Sequence, residues 1–316
     1  MDIRSYNRDA WNKEVAGGES RWTQPVSHEV IEKARQGDFS ILLTENIPVP
    51  LRWFPPLKGA DVLCLASGGG QQGPVLAAAG ANVTVFDNSP SQLKQDQFVA
   101  EREALVLRTV EGDAADLSMF ADESFDYVYC KEALHHFPRP YLALHEMFRV
   151  ARRAVILTEP RDQSAEQAPL GFILRGLKGM LGRTVPGHTF ESVGNYVYSI
   201  AERDLEKFLL GMHHRNVAFT GCNDIHLPGV EFVPEVPSTP SQRKLKARLL
   251  RRIALADLLC RLGLAKTALL TAALFKSVPS GKLSQALASR GWVVRQLPAN
   301  PYLEQVSEQP PKTHGG

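Results

Sequence analysis

The sequence predicts an α/β protein whose doubly wound, mostly parallel sheet carries helices on both faces. Three observations lead there. The apolar run Val62-Leu63-Cys64-Leu65 ends in a glycine cluster from Gly68 to Gly73, and a helix-like segment, Pro74 to Ala79, follows. A second apolar run, Val83-Thr84-Val85-Phe86, then ends in Asp87. Strand-like and helix-like segments go on alternating across residues 60 to 160, the pattern of parallel strands joined by crossover helices. In such a sheet the ligand lies beyond the C-terminal ends of the strands, at the switch point.

The elements follow in order. Residues 1 to 44 form a polar and aromatic extension holding Tyr6, Trp11 and Trp22. Read from its residues it is a helix covering the sheet with Trp11 and Trp22 as anchors. Pro48, Pro50, Pro55 and Pro56 punctuate the approach to the core, residues 45 to 160. A short strand ends at Gly112-Asp113, and Phe125 to Cys130 forms another. Leu134-His135-His136-Phe137 opens a helical stretch to Val150, and Ala154 to Leu157 reads as a strand.

Residues 161 to 316 hold acceptor-side insertions, a basic helix and the completion of the fold. Residues 161 to 200 read as a long irregular segment. A helix over Ala201–His213 precedes a strand at Val217 to Thr220, and Pro228 to Pro240 reads as an exposed connection. Residues 241 to 268 form a helical region carrying Arg243, Lys244, Lys246, Arg248, Arg251 and Arg252. The favoured reading is a helix that covers core and leaves its cations in water. The other is contact of residues 243–268 with an anionic membrane. Ala272 to Phe275 is expected to be the last strand of the main sheet, with a helix over 283–290 and a strand at Gly291 to Val294 after it.

The glycine turn is where ligand chemistry begins. Glycines let backbone approach a ligand closely, and a helix start directs free N–H groups at it. Gly68, Gly70 and Gly73 satisfy G-x-G-x-x-G, with Asp87 about 20 residues on, placed to accept from a ribose diol. Asp113, at the next strand end, can accept from an adenine amino group. An adenosine-type cofactor follows from these residues.

Four motifs in order then resemble the class I S-adenosylmethionine-dependent methyltransferases of the small-molecule type: the glycine turn, Gly112-Asp113, Phe125-Asp126-Tyr127-Val128 and Leu134-His135-His136. The block Leu144-His145-Glu146-Met147-Phe148-Arg149-Val150 completes them. The resemblance spans about residues 45 to 160 and implies a Rossmann-like fold of the class I methyltransferase type, with S-adenosyl-L-methionine as cofactor. It implies that Ala66, Ser67, Gly68 and Gly70 line the amino acid part of the cofactor. Asp87 and Asn88 would hold the ribose, Asp113 and Ala114 would flank the adenine, and Cys130 and Lys131 would face the methionine moiety. For residues 1 to 44 it implies the alternative to a covering helix, a lid over the ligand. The family usually has an acid where Cys64 stands and a glycine where Ala66 stands. The Ala66 change is mild if its φ is negative.

Methyl transfer from a sulfonium needs an acceptor atom held in line, and an oxygen acceptor needs a base. His135 and His136 are the candidates, with Glu132 beside them. The alternative is that the pair caps the helix or shapes the pocket. His213 and His214 read as the surface end of the later helix. The segment Gly187 to Tyr198 mixes aromatic rings with amides and hydroxyls and is the candidate for acceptor recognition. A weaker likeness, over Tyr127 to Tyr198, is to methyltransferases of bacterial surface polysaccharide or secondary-metabolite pathways. The expected function is thus O-methylation of a small molecule or glycan precursor, with N-methylation second.

Composition sets the outer bounds. The 316 residues are 44% hydrophobic and 22% charged, with a net charge of +2, which makes no case for a nucleic-acid partner. The four cysteines are scattered without C-x-x-C, as expected of reduced core thiols and not of a metal site. The N-terminal residues lack a signal-peptide pattern and no stretch is apolar enough to span a bilayer, so a cytoplasmic protein is expected. Two other functions stay open: a nicotinamide-dependent oxidoreductase, against which the missing Tyr-x-x-x-Lys counts, and a non-catalytic cofactor-binding module, suggested by Cys64 and Ala66.

Overall fold

The computed structural model describes residues 3–18, 23–38, 58–66, 68–163, 165–166, 168–169, 171, 190, 196–225, 227–233 and 237–302. Eight strands form one sheet: β1 (Asp61–Leu65), β2 (Asn82–Asp87), β3 (Leu107–Glu111), β4 (Phe125–Lys131), β5 (Ala151–Pro160), β6 (Asn216–Cys222), β7 (Leu269–Phe275) and β8 (Val293–Gln296). Their order across the sheet is β3-β2-β1-β4-β5-β7-β6-β8. The pairs from β3 through β5 are all parallel. β7 pairs antiparallel with both β5 and β6, and β8 antiparallel with β6. This is the expected doubly wound, mostly parallel sheet with helices on both faces, with a reversed strand inside it. β7 is not the last strand: it lies within the sheet, and β8 closes the edge.

Eight helices accompany the strands among the described residues: α1 (Ile3–Gly17), α2 (His28–Arg35), α3 (Gln72–Ala78), α4 (Pro90–Arg102), α5 (Pro140–Val150), α6 (Glu202–Gly211), α7 (Pro240–Arg261) and α8 (Gly281–Ala288). Side chains alternate across a strand, and a parallel sheet buries both faces. Cys64, Val85, Tyr129 and Ile156 therefore meet Val30 and Ile31 of α2, Val75 and Leu76 of α3 and Val99 of α4 on one face. Leu65, Phe86, Val128 and Leu157 meet Leu144, Met147 and Phe148 of α5 and Leu205 and Leu209 of α6 on the other. Cys64 and Cys130 are fully buried thiols on opposite faces.

Several boundaries differ from expectation. The stretch from Leu134 to Val150 is not one helix: a 3-10 turn (Leu134–His136) is separated by Pro138 from α5, which Pro140 opens, because proline cannot continue a helix already begun but suits the first position of a new one. The segment after Pro228 is not simply an exposed connection, since Val230 and Val233 are buried. His213 is exposed, whereas His214 is half-buried, edge-on to Phe148 with ring centroids 4.7 Å apart. Most of residues 161 to 200, Trp22 and the prolines from 48 to 56 lie outside the described residues.

The basic helix follows the favoured reading, covering core with its cations in water, but it is shorter than expected and buries little. Only Leu249 and Ile253 of α7 are buried, packed against Leu227 and Val230. It covers a satellite cluster and leaves most of its surface in water. No helix among the described residues is long and apolar enough to cross a membrane.

Candidate active site

The strand ends at the C-terminal edge of β1, β2, β3 and β4 border a cleft of about 970 Å³. The sequence explains how the wall on the β1 side is built. Gly68 stands at φ 70° on the cleft wall, a conformation that costs a residue with a Cβ. A Cβ on Gly73 would lie 2.4 Å from Val85 Cγ2, so glycine is what lets α3 pack down on β2. The Gly69 N–H donates to the Gln92 side chain of α4, which ties the turn to the neighbouring helix.

Ala66 corrects one expectation. Its φ is 50°, not negative, and it borders the cleft while its N–H donates to Phe86 O at 2.8 Å. It occupies the left-handed region that the usual glycine tolerates freely.

Asp87 is buried at the tip of β2 and borders the cleft. Its Oδ1 accepts from Ser89 N at 2.8 Å. Burial pushes its carboxyl up to about 7, partly offset by backbone N–H groups of Ser89 and Asn88. Behind it Asp96, on α4, is also held well above the usual carboxylate range, first by burial and then by the charge of Asp87. Asn88, Asp113 and Ala114 continue the same wall. Asp113 Oδ1 accepts from Ala115 N at 2.9 Å, and Arg139 Nη2 lies 3.7 Å from Oδ2.

Of the remaining predicted cofactor residues, Lys131 borders the cleft and pairs with Glu132 at 2.6 Å. Cys130 does not: it is fully buried in the core, its thiol pushed well up by burial. β4 points alternate residues to opposite faces, which is why the two neighbours part. Gly70 is likewise absent from the cleft wall; its carbonyl accepts from Val26 N at 2.9 Å behind the turn. Ser67 lies outside the described residues.

His135 and His136 both border the cleft, with ring centroids 4.0 Å apart. The residue that organises them is Glu159, near the end of β5, which the sequence reading passed over. Glu159 is buried; its Oε1 accepts from the N–H groups of Ala133 (3.1 Å) and Leu134 (2.9 Å), while Oε2 accepts from His135 N at 3.4 Å. His135 Nδ1 lies 2.6 Å from the same Oε2. A carboxylate is an acceptor, so Nδ1 carries a proton toward Glu159. Glu159 stands at the same strand-end edge as Asp87 and Asp113, and the edge rule is the signal that would have named it.

The opposite wall comes from α1. Ser5, Asn7, Arg8, Trp11 and Glu14 border the cleft. Trp11 meets His136 edge-on with centroids 5.1 Å apart, and Asn7 Nδ2 donates to His136 O at 3.4 Å. The Ser89 hydroxyl donates to Asn12 Oδ1 at 2.7 Å. The extension thus divides: α1 faces the cleft and α2 covers the sheet. Asp224, just beyond β6, also borders the cleft. Of the segment Gly187 to Tyr198, Phe190 borders the cleft and Tyr196 packs edge-on between Phe190 and Tyr198, while residues 187–189 and 191–195 lie outside the described residues.

Residues 63–157, which run from β1 into β5, match the family model described as a methyltransferase domain. This core is similar to the methyltransferase-domain family. The domain is similar to an uncharacterized methyltransferase, YbaJ, of Bacillus subtilis (strain 168), at 50% identity over 153 residues, which is 48% of this chain and 60% of that protein. A ubiquinone biosynthesis O-methyltransferase of Paracidovorax citrulli is 34% identical over 118 residues, 35% of this chain and 48% of that protein. The chain thus spans about half to three-fifths of the length of these curated relatives. Among solved structures, a SAM-dependent methyltransferase of Methanosarcina mazei overlays at a TM-score of 0.44 with 16% identity, covering 73% of this chain and 99% of that one.

Proposed function

We propose that the protein is an S-adenosylmethionine-dependent methyltransferase that methylates an oxygen of a small molecule. The observation that carries this reading is the pairing of His135 with buried Glu159 in the same cleft as the glycine turn, Asp87 and Asp113. The residues present fit the cofactor. Gly68 offers backbone without a Cβ at the cleft wall, and Asp87 presents a buried carboxyl beside the cleft. Asp87 and Asn88 would hold the ribose, Asp113 and Ala114 the adenine, and Ala66, Gly68 and Lys131 the amino acid end. S-adenosylmethionine supplies an electrophilic methyl group on its sulfonium.

The chain itself supplies placement and a base. His135 takes the acceptor's hydroxyl proton on Nε2, and Glu159 stabilises the imidazolium that forms. Trp11, His136, Phe137 and Phe190 provide apolar and aromatic walls suited to a flat acceptor. The domain match favours methyl transfer over the nicotinamide alternative. The ubiquinone O-methyltransferase relative supports oxygen as the acceptor atom.

Calorimetric titration with S-adenosylhomocysteine and with NADH, on wild type and Asp87→Ala, tests the cofactor. The adduct should bind at micromolar concentration and weaken in the variant, while NADH gives no heat; NADH binding alone overturns the reading. Turnover on a panel of phenols and hydroxylated sugars then tests the base. His135→Ala should lower kcat by about 10²–10⁴. Glu159→Gln should lower it by about 10–10² and displace the pH profile, since the imidazolium loses its carboxylate partner. Unchanged kcat in His135→Ala would remove His135 from the chemistry.

A further inference from the structure

The exposed face of α7 has an unusual make-up. Leu255, Leu258 and Leu262 are 57%, 51% and 62% exposed. Spaced by three and four residues, they share one stripe of the helix and its C-terminal cap. Lys244, Arg248 and Arg251 extend that stripe toward the N-terminus, and all three are exposed. The buried Leu249 and Ile253 lie on the opposite side.

Three further observations bear on what covers this face. α7 contains a single acid, Asp257, and it accepts from Asn223 Nδ2 at 2.8 Å, turned toward the protein. The stripe is therefore cationic and apolar with no negative charge. Phe232, in the 3-10 turn that packs against α7, is also exposed. The same Asn223 precedes Asp224, which borders the cleft, so α7 is fastened beside the active site and not at a remote end of the molecule.

We propose that α7 docks the protein on an anionic membrane surface, its leucines entering the boundary between headgroups and acyl chains and its arginines and lysines meeting lipid phosphates. Leucines standing in water are unfavourable to the isolated protein, and covering them by a bilayer removes that cost. Charge complementarity selects an anionic bilayer: a neutral partner would leave the cations unused, and nucleic acid would leave the leucines so. The inference does not depend on which acceptor the cleft takes.

Sedimentation of the full chain with vesicles tests it. Vesicles of phosphatidylcholine mixed with phosphatidylglycerol should carry the protein down at low salt, whereas phosphatidylcholine alone should not. L255S/L258S/L262S should weaken binding by about tenfold or more, and R248Q/R251Q/R252Q should do the same by the electrostatic route. All six side chains are exposed, so both variants should keep the wild-type melting temperature and S-adenosylhomocysteine affinity. Absence of wild-type binding at low salt would overturn the proposal. So would a leucine variant that binds as wild type does, which would mark a polyanion site. Concentration-dependent dimers that the leucine variant disperses, without vesicle binding, would assign the face to a second copy of the chain.

Discussion

Ala66 stands at φ 50° on the cleft wall, where an L residue pays roughly 1–2 kcal/mol in steric cost. Ala66→Gly should therefore stabilise the fold by about 1 kcal/mol, which thermal melting would show as a rise of roughly 2–4 °C; a fall would mean the added chain entropy of glycine outweighs the relief. Asp87 gives a pH prediction. Its carboxyl titrates near 7 because it is buried. Hydroxyl groups that donate to it favour the ionised form, so S-adenosylhomocysteine should bind more weakly as pH falls below about 7 and should release a proton on binding near that pH. For the free protein the sign is opposite. A buried acid with a raised pKa holds its proton longer in the folded state, so its contribution to stability falls as pH rises from about 4 to about 7. Asp87→Asn should flatten both dependences, and calorimetry and melting from pH 5 to 8 would reveal identical profiles if Asp87 is not their source. Asp87 was legible at the sheet edge because it ends an apolar run, and Asp113 because it follows a short strand and Gly112. Glu159 was not, because its neighbours Leu157, Thr158 and Pro160 continue the strand and hide its partner, His135, 24 residues earlier.

Helix α1 shows what sequence pattern conveys about an element and what it does not. Its polar composition gives no apolar stripe to orient it. What anchors it is polar contact, including Asn12 with Ser89 and Asn7 with His136 O, that joins residues far apart in the chain. Asn12→Ala removes the partner of the Ser89 hydroxyl, a loss of about 1 kcal/mol. The expected result is about fivefold weaker S-adenosylhomocysteine binding and faster proteolytic cleavage within α1; unchanged affinity and protection would show that α1 is held by its other contacts. The strands were legible for the opposite reason: their apolar runs are local. α7 was legible as a basic helix, but not how little of it is buried. That depends on Leu227 and Val230, which pack beneath it from a segment that reads as a loop.

Across the whole molecule, alternation of strands and helices was enough to predict the parallel half of the sheet, since a crossover returns the chain to a parallel strand, to a neighbour except at the switch from β3 to β4. The antiparallel half needed another signal. Every residue of β7 is buried, and its run Leu269-Leu270-Thr271-Ala272-Ala273-Leu274-Phe275, apolar but for Thr271, marks a strand enclosed on both sides, whereas β8 is mostly exposed as an edge is. Judged by its position in the chain this stretch reads as the last strand, whereas its apolar composition marks an interior one.

The interior place of β7 also sets an order of assembly. β5 and β6 do not touch each other; β7 separates them. During synthesis the edge of β5 is complete once Pro160 has emerged, yet its partner arrives only after residues 161–268 have followed. Until then an apolar strand edge is open, the kind of template on which nascent chains pair wrongly. A chain stopped at Ala268 should accumulate as aggregate, while one carried through β8 to Leu297 should remain in solution. Comparing the soluble yields of the two would test this, and an equally soluble, cooperatively melting shorter chain would show that the first five strands protect themselves. On this expectation the nascent chain is most exposed to chaperones and proteases in the interval between β5 and β7, when residues 63–157 are already made but the sheet is not yet sealed.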